Sequence, residues 1–244
     1  MIEDHVPQLS SYAGDIDHLI YLVGWIVMVW FFLALGVFLY FCVRYRAKPG
    51  VRALDIDGTN PKHKRWVAWP HYSILAFDVW ILIVAVSVWF NVKQNMPQTS
   101  ETVRVIGQQW AWTFIHAGPD GQLDTNDDIR AVDNLHVRSG VKYKFELQSK
   151  DVLHSFSVPV FRLKQDAIPG RTITGWFEPS GSGVFDIQCA EMCGIGHGVM
   201  GARIFIETPE QHAKWLASST PTPVVTLAPA VPNQSGPNPA APTP

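Results

Sequence analysis

Cys189-Ala-Glu-Met-Cys193-Gly-Ile-Gly-His197-Gly-Val-Met200 sets two thiols, one imidazole and one thioether on a single tight loop. Soft donors in this combination favour copper over magnesium, calcium or a carboxylate-rich iron site. Short alternating runs flank the loop, Gly183-Val-Phe-Asp-Ile187 before it and Ala202-Arg-Ile-Phe-Ile206 after it. Thr102–Ile106, Val141–Leu147 and Arg171–Phe177 continue the pattern, with Gly, Pro and Ser between them. Period-two runs at this spacing predict a small all-β sandwich or barrel over residues 91–217, long enough for an independent core. One helix is expected at its end, Pro209–Ser218, with Thr208 as N-cap and Ala213, Trp215 and Leu216 as its apolar group.

Further from the loop the composition changes sharply. Leu19–Cys42 is 24 residues without a charged side chain, enough to cross a hydrocarbon core of ~30 Å at about 1.5 Å per residue. Trp66–Phe90 is a second apolar run, broken only by His71 and Asp78. The first run has a bulky core, no basic residue before it and no clear cleavage site, so it reads as a retained span rather than a secretory signal. A transmembrane hairpin over residues 19–90 is predicted, after an outer-face segment 1–18.

The connecting loop carries Arg44, Arg46, Lys48, Arg52, Lys62, Lys64 and Arg65 against Asp55 and Asp57. Short basic loops stay in the cytoplasm. The N-terminal stretch, with Glu3, Asp4, Asp15 and Asp17, is acidic and belongs on the opposite face. The expected location is a bacterial inner membrane, with the metal loop on the periplasmic side. The net charge of −2 sums two compartments and says little; no nucleic-acid partner is expected. The tail, 218–244, holds eight prolines and no charge, too little apolar surface to offset its ordering entropy, so disorder is expected. No Cys-x-x-Cys-His haem attachment motif occurs.

Cys193, His197 and Met200 alone have the loop spacing of a mononuclear blue-copper site, which needs a second histidine from a distant strand. His154, in Asp151-Val-Leu-His-Ser-Phe156, is the natural candidate. Cys189 is then a surplus thiolate. Two thiolates four residues apart can bridge two metal ions, one taking His154 and Met200, the other His197 and a loop carbonyl. Two other readings stand beside this one: a Cys189–Cys193 disulfide, natural in an oxidising compartment, and a zinc site, for which methionine is a poor ligand. Cys42, in the first apolar run, reads as filler.

On these residues the chain resembles cytochrome c oxidase subunit II, the subunit carrying the binuclear CuA centre. The loop matches that family's Cys-x-Glu-x-Cys-Gly-x-x-His-x-x-Met pattern. Asp151–Phe156, Leu163–Arg171 and Gly107-Gln-Gln-Trp-Ala-Trp112 match three further blocks. The resemblance implies a two-helix transmembrane hairpin followed by an all-β cupredoxin-like Greek-key domain. It implies that His154, Cys189, Cys193, His197, Met200 and the carbonyl of Glu191 hold two coppers. The Glu191 side chain would turn towards a magnesium ion shared with the catalytic subunit I.

Trp110 would receive electrons from cytochrome c, for transfer to haem and reduction of oxygen to water with proton pumping. Trp112 reads as core. Lysines on the donor would favour an acidic patch, for which Asp120, Asp124, Asp127, Asp128, Asp133 and Asp151 are candidates; an ordinary solvated loop is the other reading. Residues 120–128 faintly suggest a calcium loop, without the spacing or final glutamate of an EF-hand.

Three positions depart from the family pattern. His63 stands where relatives have a glutamate that helps admit protons, and could titrate in its place. Asp78, a carboxylate within a span, is either a functional acid or a hydrogen-bond partner for a neighbouring subunit. Lys150 replaces a carboxylate that many relatives have before Asp151. Competing functions are a CuA subunit of a nitric oxide reductase and a membrane-tethered copper-delivery protein, which would need an exposed, exchangeable site.

Overall fold

The computed structural model describes residues 4–52 and 56–219; Glu3, Asp55 and all of the Pro-rich tail beyond Ser219 lie outside them. Two helices open the chain, α1 (Ala13–Arg44) and α2 (Pro61–Trp89), and a π-helical turn, Phe90–Gln94, extends the second. Their apolar side chains stay uncovered: Trp25, Phe38 and Leu82 are each more than half exposed. Water does not tolerate so large an apolar surface, whereas a bilayer does. Both helices are long and apolar enough to cross a membrane, which makes this a membrane protein. They meet along a seam where Trp30 stands edge-on to Phe77 at 6.1 Å.

The helix ends follow capping rather than hydropathy. Pro61 starts α2, and the Asn60 side chain accepts the Lys62 N–H. α1 begins six residues before the apolar run, and its first two turns bury Ala13 and Asp17 beneath the β domain.

Ten strands follow: β1 (Glu101–Gln108), β2 (Ala111–His116), β3 (Ile129–Val132), β4 (Asn134–Arg138), β5 (Tyr143–Ser149), β6 (His154–Val158), β7 (Leu163–Ala167), β8 (Ile173–Phe177), β9 (Gly183–Cys189) and β10 (Gly201–Glu207). They form two five-stranded sheets, ordered β3-β2-β1-β5-β8 and β4-β10-β9-β6-β7. The β1–β5 and β4–β10 pairs are parallel and the rest antiparallel. This is the cupredoxin-like sandwich. The five strands read from alternation are present, and their inward residues, such as Val103, Val105, Phe145 and Leu147, are buried. Trp112, Phe114, Phe156, Phe161 and Phe177 fill the space between the sheets.

α3 (Pro209–Ser219) closes one end, one residue longer than expected. Thr208 and Gln211 form its capping box: the Thr208 hydroxyl accepts the Gln211 N–H, and the Gln211 side chain accepts the Thr208 N–H. Trp215 stacks on His136 at 4.3 Å and stands edge-on to His116 at 4.8 Å. The two oxygens of Glu207 lie 2.8 Å from Nδ1 of His136 and 2.9 Å from Nδ1 of His212. Nε2 of His116 has no hydrogen-bond partner among the described residues, and burial pushes this imidazole down to about 3.

Candidate metal centre

β9 and β10 are antiparallel neighbours, with Gln188 opposite Gly201. The twelve-residue loop therefore leaves and re-enters the same sheet edge. The Cys189 N–H donates to Met200 O at 3.1 Å and closes its neck. Inside, the His197 N–H reaches Gly194 O and the Met200 N–H reaches Gly196 O, each at 3.1 Å. This winding folds spaced-out donors onto one point.

The Cys189 and Cys193 sulfurs lie 3.7 Å apart as free thiols, so the disulfide reading does not hold here. Cys193 Sγ is 3.7 Å from both Nδ1 of His197 and Sδ of Met200. Cys189 Sγ is 3.9 Å from Nδ1 of His154 and 3.3 Å from the Glu191 carbonyl. His154 arrives from β6, which pairs with β9 so that Phe156 faces Cys189. Ligand atoms of His154, Cys189 and Cys193 all fall within 4.8 Å of one another.

These donors point at each other rather than at the surrounding protein, which is the geometry of a closed, soft-metal site. Cys189, Cys193, Met200 and His154 are all buried. Burial and the neighbouring Cys189 thiol push the Cys193 thiol up to about 11. A bound cation would reverse that preference, because metals take the thiolate.

Asp151 fixes the histidine. Its Oδ1 lies 2.8 Å from Nε2 of His154, which selects the Nε2–H tautomer and leaves the Nδ1 lone pair facing Cys189. Burial opposes ionisation of Asp151, but the N–H groups of Gln109 and Val152 and the His154 ring outweigh it, so its carboxyl sits below the ordinary value. Sequence reasoning assigned Asp151 to a docking patch and missed this contact, although an aspartate three residues before a candidate histidine was its signal.

Trp110 lies over the loop, 39% exposed. Its Nε1–H donates to the Cys193 carbonyl at 3.3 Å, and the Gln109 amide donates to the same oxygen at 2.7 Å. A side chain at Gly196 would come within 2.4 Å of the indole, so only glycine lets the ring lie flat. Trp112 is fully buried, 6.0 Å from the His154 ring. Met192, Ile195 and Val199 stand exposed on the loop.

The carboxylates proposed for docking are largely engaged within the domain, some by their own segment and some by β1, β2 and His154. Asp124 grips Arg104 with both oxygens, at 2.7 and 3.0 Å. Asp120 accepts the Gln122 N–H, Asp127 accepts from Thr125 and the Asp120 N–H, and Asp128 accepts the Asp124 N–H. Asp133 accepts the Trp112 N–H at 2.8 Å. The Glu191 side chain lies 3.4 Å from Nζ of Lys164. His63 and Asp78 both sit on α2, about 22 Å apart at 1.5 Å per residue, and do not join the sulfur cluster.

A family profile described as the periplasmic domain of cytochrome c oxidase subunit II matches residues 101–208. The alternative cytochrome c oxidase subunit 2 of Bradyrhizobium diazoefficiens is 32% identical over 231 residues, 85% of this chain and 81% of that one. The probable cytochrome c oxidase subunit 2 of Rickettsia felis is 28% identical over 242 residues, 88% of this chain and 71% of that one. Among solved structures, the periplasmic domain of subunit II of cytochrome oxidase from Bradyrhizobium japonicum covers 51% of this chain and 96% of its own, with 27% identity and a TM-score of 0.46.

Proposed function

This chain belongs to the cytochrome c oxidase subunit II family, and on that premise we propose that it is the electron-transfer subunit of its haem-copper terminal oxidase. His154, Cys189, Cys193, His197, Met200 and the carbonyl of Glu191 would hold a two-copper centre. When bound, that pair supplies a one-electron store whose sulfur-rich setting changes little on reduction. The observation that carries the reading is the convergence of two thiols, two imidazole nitrogens, a thioether and a carbonyl over 3.3–3.9 Å.

The chain's own residues have distinct tasks. Asp151 keeps Nδ1 of His154 free of its proton. Gln109 and Trp110 hold the Cys193 carbonyl and keep the loop closed over the sulfurs. The exposed indole of Trp110, hydrogen-bonded to a ligand's own backbone, is a short path by which cytochrome c delivers electrons. Met192, Ile195 and Val199 offer apolar surface beside it, and Asp120, Asp124, Asp127, Asp128 and Asp133 bias the approach of a basic donor.

The Glu191 side chain, 3.4 Å from Nζ of Lys164, would have to leave that lysine to help hold a magnesium ion at the boundary with the catalytic subunit. The copper domain faces the periplasm in this reading, and His63 and Asp78 are candidates for proton uptake. Burial of both thiols and of Met200 argues against a copper-delivery role, which needs exchangeable donors.

Replacing Trp110 with alanine in the intact oxidase tests the assignment. Cytochrome c oxidation should slow by more than about tenfold while copper content stays full. An unchanged rate at full copper would remove Trp110 from the path.

A further inference from the structure

Asp17 stands in the second turn of α1 with its side chain 1% exposed, and the side chain of Arg162, between β6 and β7, is 8% exposed. A buried ion pair adds little to stability over apolar packing, because desolvation offsets the attraction. Its value lies in what its geometry fixes. Arg162 uses all five of its N–H donors. Nε and Nη2 donate to the two oxygens of Asp17 at 2.7 and 2.8 Å. Nη1 donates to the carbonyls of Pro159 and Pro7 at 2.8 and 3.3 Å, and Nη2 to Val6 O at 2.9 Å. Gln8 adds a bond to Asp17 Oδ2 at 2.7 Å.

One planar group therefore joins the N-terminal segment, the membrane helix and the copper domain. The Arg162 backbone is left-handed, with φ 55°, a conformation uncommon outside glycine.

The position of Arg162 gives the clamp leverage. Val158 pairs with Leu163 at the closed end of the β6–β7 hairpin beside it, and His154 pairs with Ala167 at the open end. Four residue steps separate the two ends, about 13 Å at 3.3 Å each. Through β6 the arm also holds β9 and Cys189. Among the described residues, other side-chain hydrogen bonds between the N-terminal and membrane segments and the domain are single ones: Trp176 to Val92 O, Lys93 to Gln165, Ser10 to Phe161 O and Tyr12 to Trp176 O. Beside them stand an edge-on contact of the Tyr12 and Trp176 rings and backbone bonds from Leu9 and Ser11.

We propose that Asp17 and Arg162 are a positioning pair: they set the tilt of the sulfur-rich loop relative to the membrane hairpin, and hence the distance from its copper to the electron acceptor in the partner subunit. This rests on the electron-transfer reading above. Neither residue touches a reacting atom.

Asp17→Asn and Arg162→Lys, each in the intact oxidase, test it. Asn removes the charge, and Lys keeps the charge but loses the fork. The measurements are copper content, the copper paramagnetic spectrum, the rate of reduction by cytochrome c, and the rate of electron transfer from copper to haem. The expected result is full copper, an unchanged spectrum and an unchanged first step, with the internal step slowed several-fold, since electron transfer falls off exponentially as donor and acceptor move apart. Wild-type internal transfer in either variant at full copper overturns the proposal. Loss of copper in both also overturns it, because the pair would then serve folding. Failure of the underlying reading looks different: the wild-type enzyme itself would show no copper-to-haem step.

Discussion

The sulfur loop and the acidic segment from Asp120 to Asp133 are both dense in metal- or partner-seeking side chains, yet the fold treats them in opposite ways. In the loop, backbone hydrogen bonds close the turns and leave thiol, imidazole and thioether aimed at one another. In the acidic segment the carboxylates themselves close the turns, accepting N–H groups from Trp112, Asp120, Gln122 and Asp124. Donor density alone does not make a site; donors left unused by their own backbone do. The histidine cluster beneath α3 lies between the two, with His136 and His212 held by Glu207 and His116 buried without a partner among the described residues.

The largest test of that contrast is Cys193→Ser. Cys193 touches Cys189, His197 and Met200 at once, so its loss should abolish the two-copper centre, read as copper per chain. Asp124→Asn should leave copper content unchanged. Asp151→Asn comes next. It keeps the fold but weakens the selection of the His154 tautomer, and copper affinity should fall about 10- to 100-fold by competition with a chelator.

The histidine cluster provides a third test. His116 has a folded value near 3, far below its unfolded value of about 6.5. Its neutral form stabilises the fold fully above pH 6.5, and that contribution is lost as pH falls. Between pH 6 and 4 the loss should approach about 1.4 kcal/mol per pH unit. Thermal unfolding followed by tryptophan fluorescence should show a shallower pH slope in His116→Phe. The smallest effect is expected for Asp127→Asn together with Asp124→Asn, a few-fold fall in cytochrome c association that salt erases. A larger fall would mean that these carboxylates are less committed to their own loop than the geometry indicates.

Much of this was legible in the sequence because the chemistry is local. Four soft donors fall within twelve residues, and the membrane runs are continuous. The alternating strands announce themselves because one face meets the core and the other faces water. β2 and β6 do not alternate cleanly: Phe114, Ile115 and His116 are consecutive buried residues, as are His154, Ser155 and Phe156. α3 covers the outer face at His116, and the metal loop packs over β6, so burial there depends on distant segments. The same distance hid the Asp17–Arg162 clamp, whose partners are 145 residues apart. Asp17 read only as an outer-face charge until the fold brought it to Arg162.

With Cys189 as a second bridging thiolate the site should be binuclear. The copper-loaded full chain should then show, in paramagnetic resonance, hyperfine splitting from one electron shared over two copper nuclei, with two coppers bound per chain. The pattern of a single copper nucleus at full loading would rule out a bridging role for Cys189.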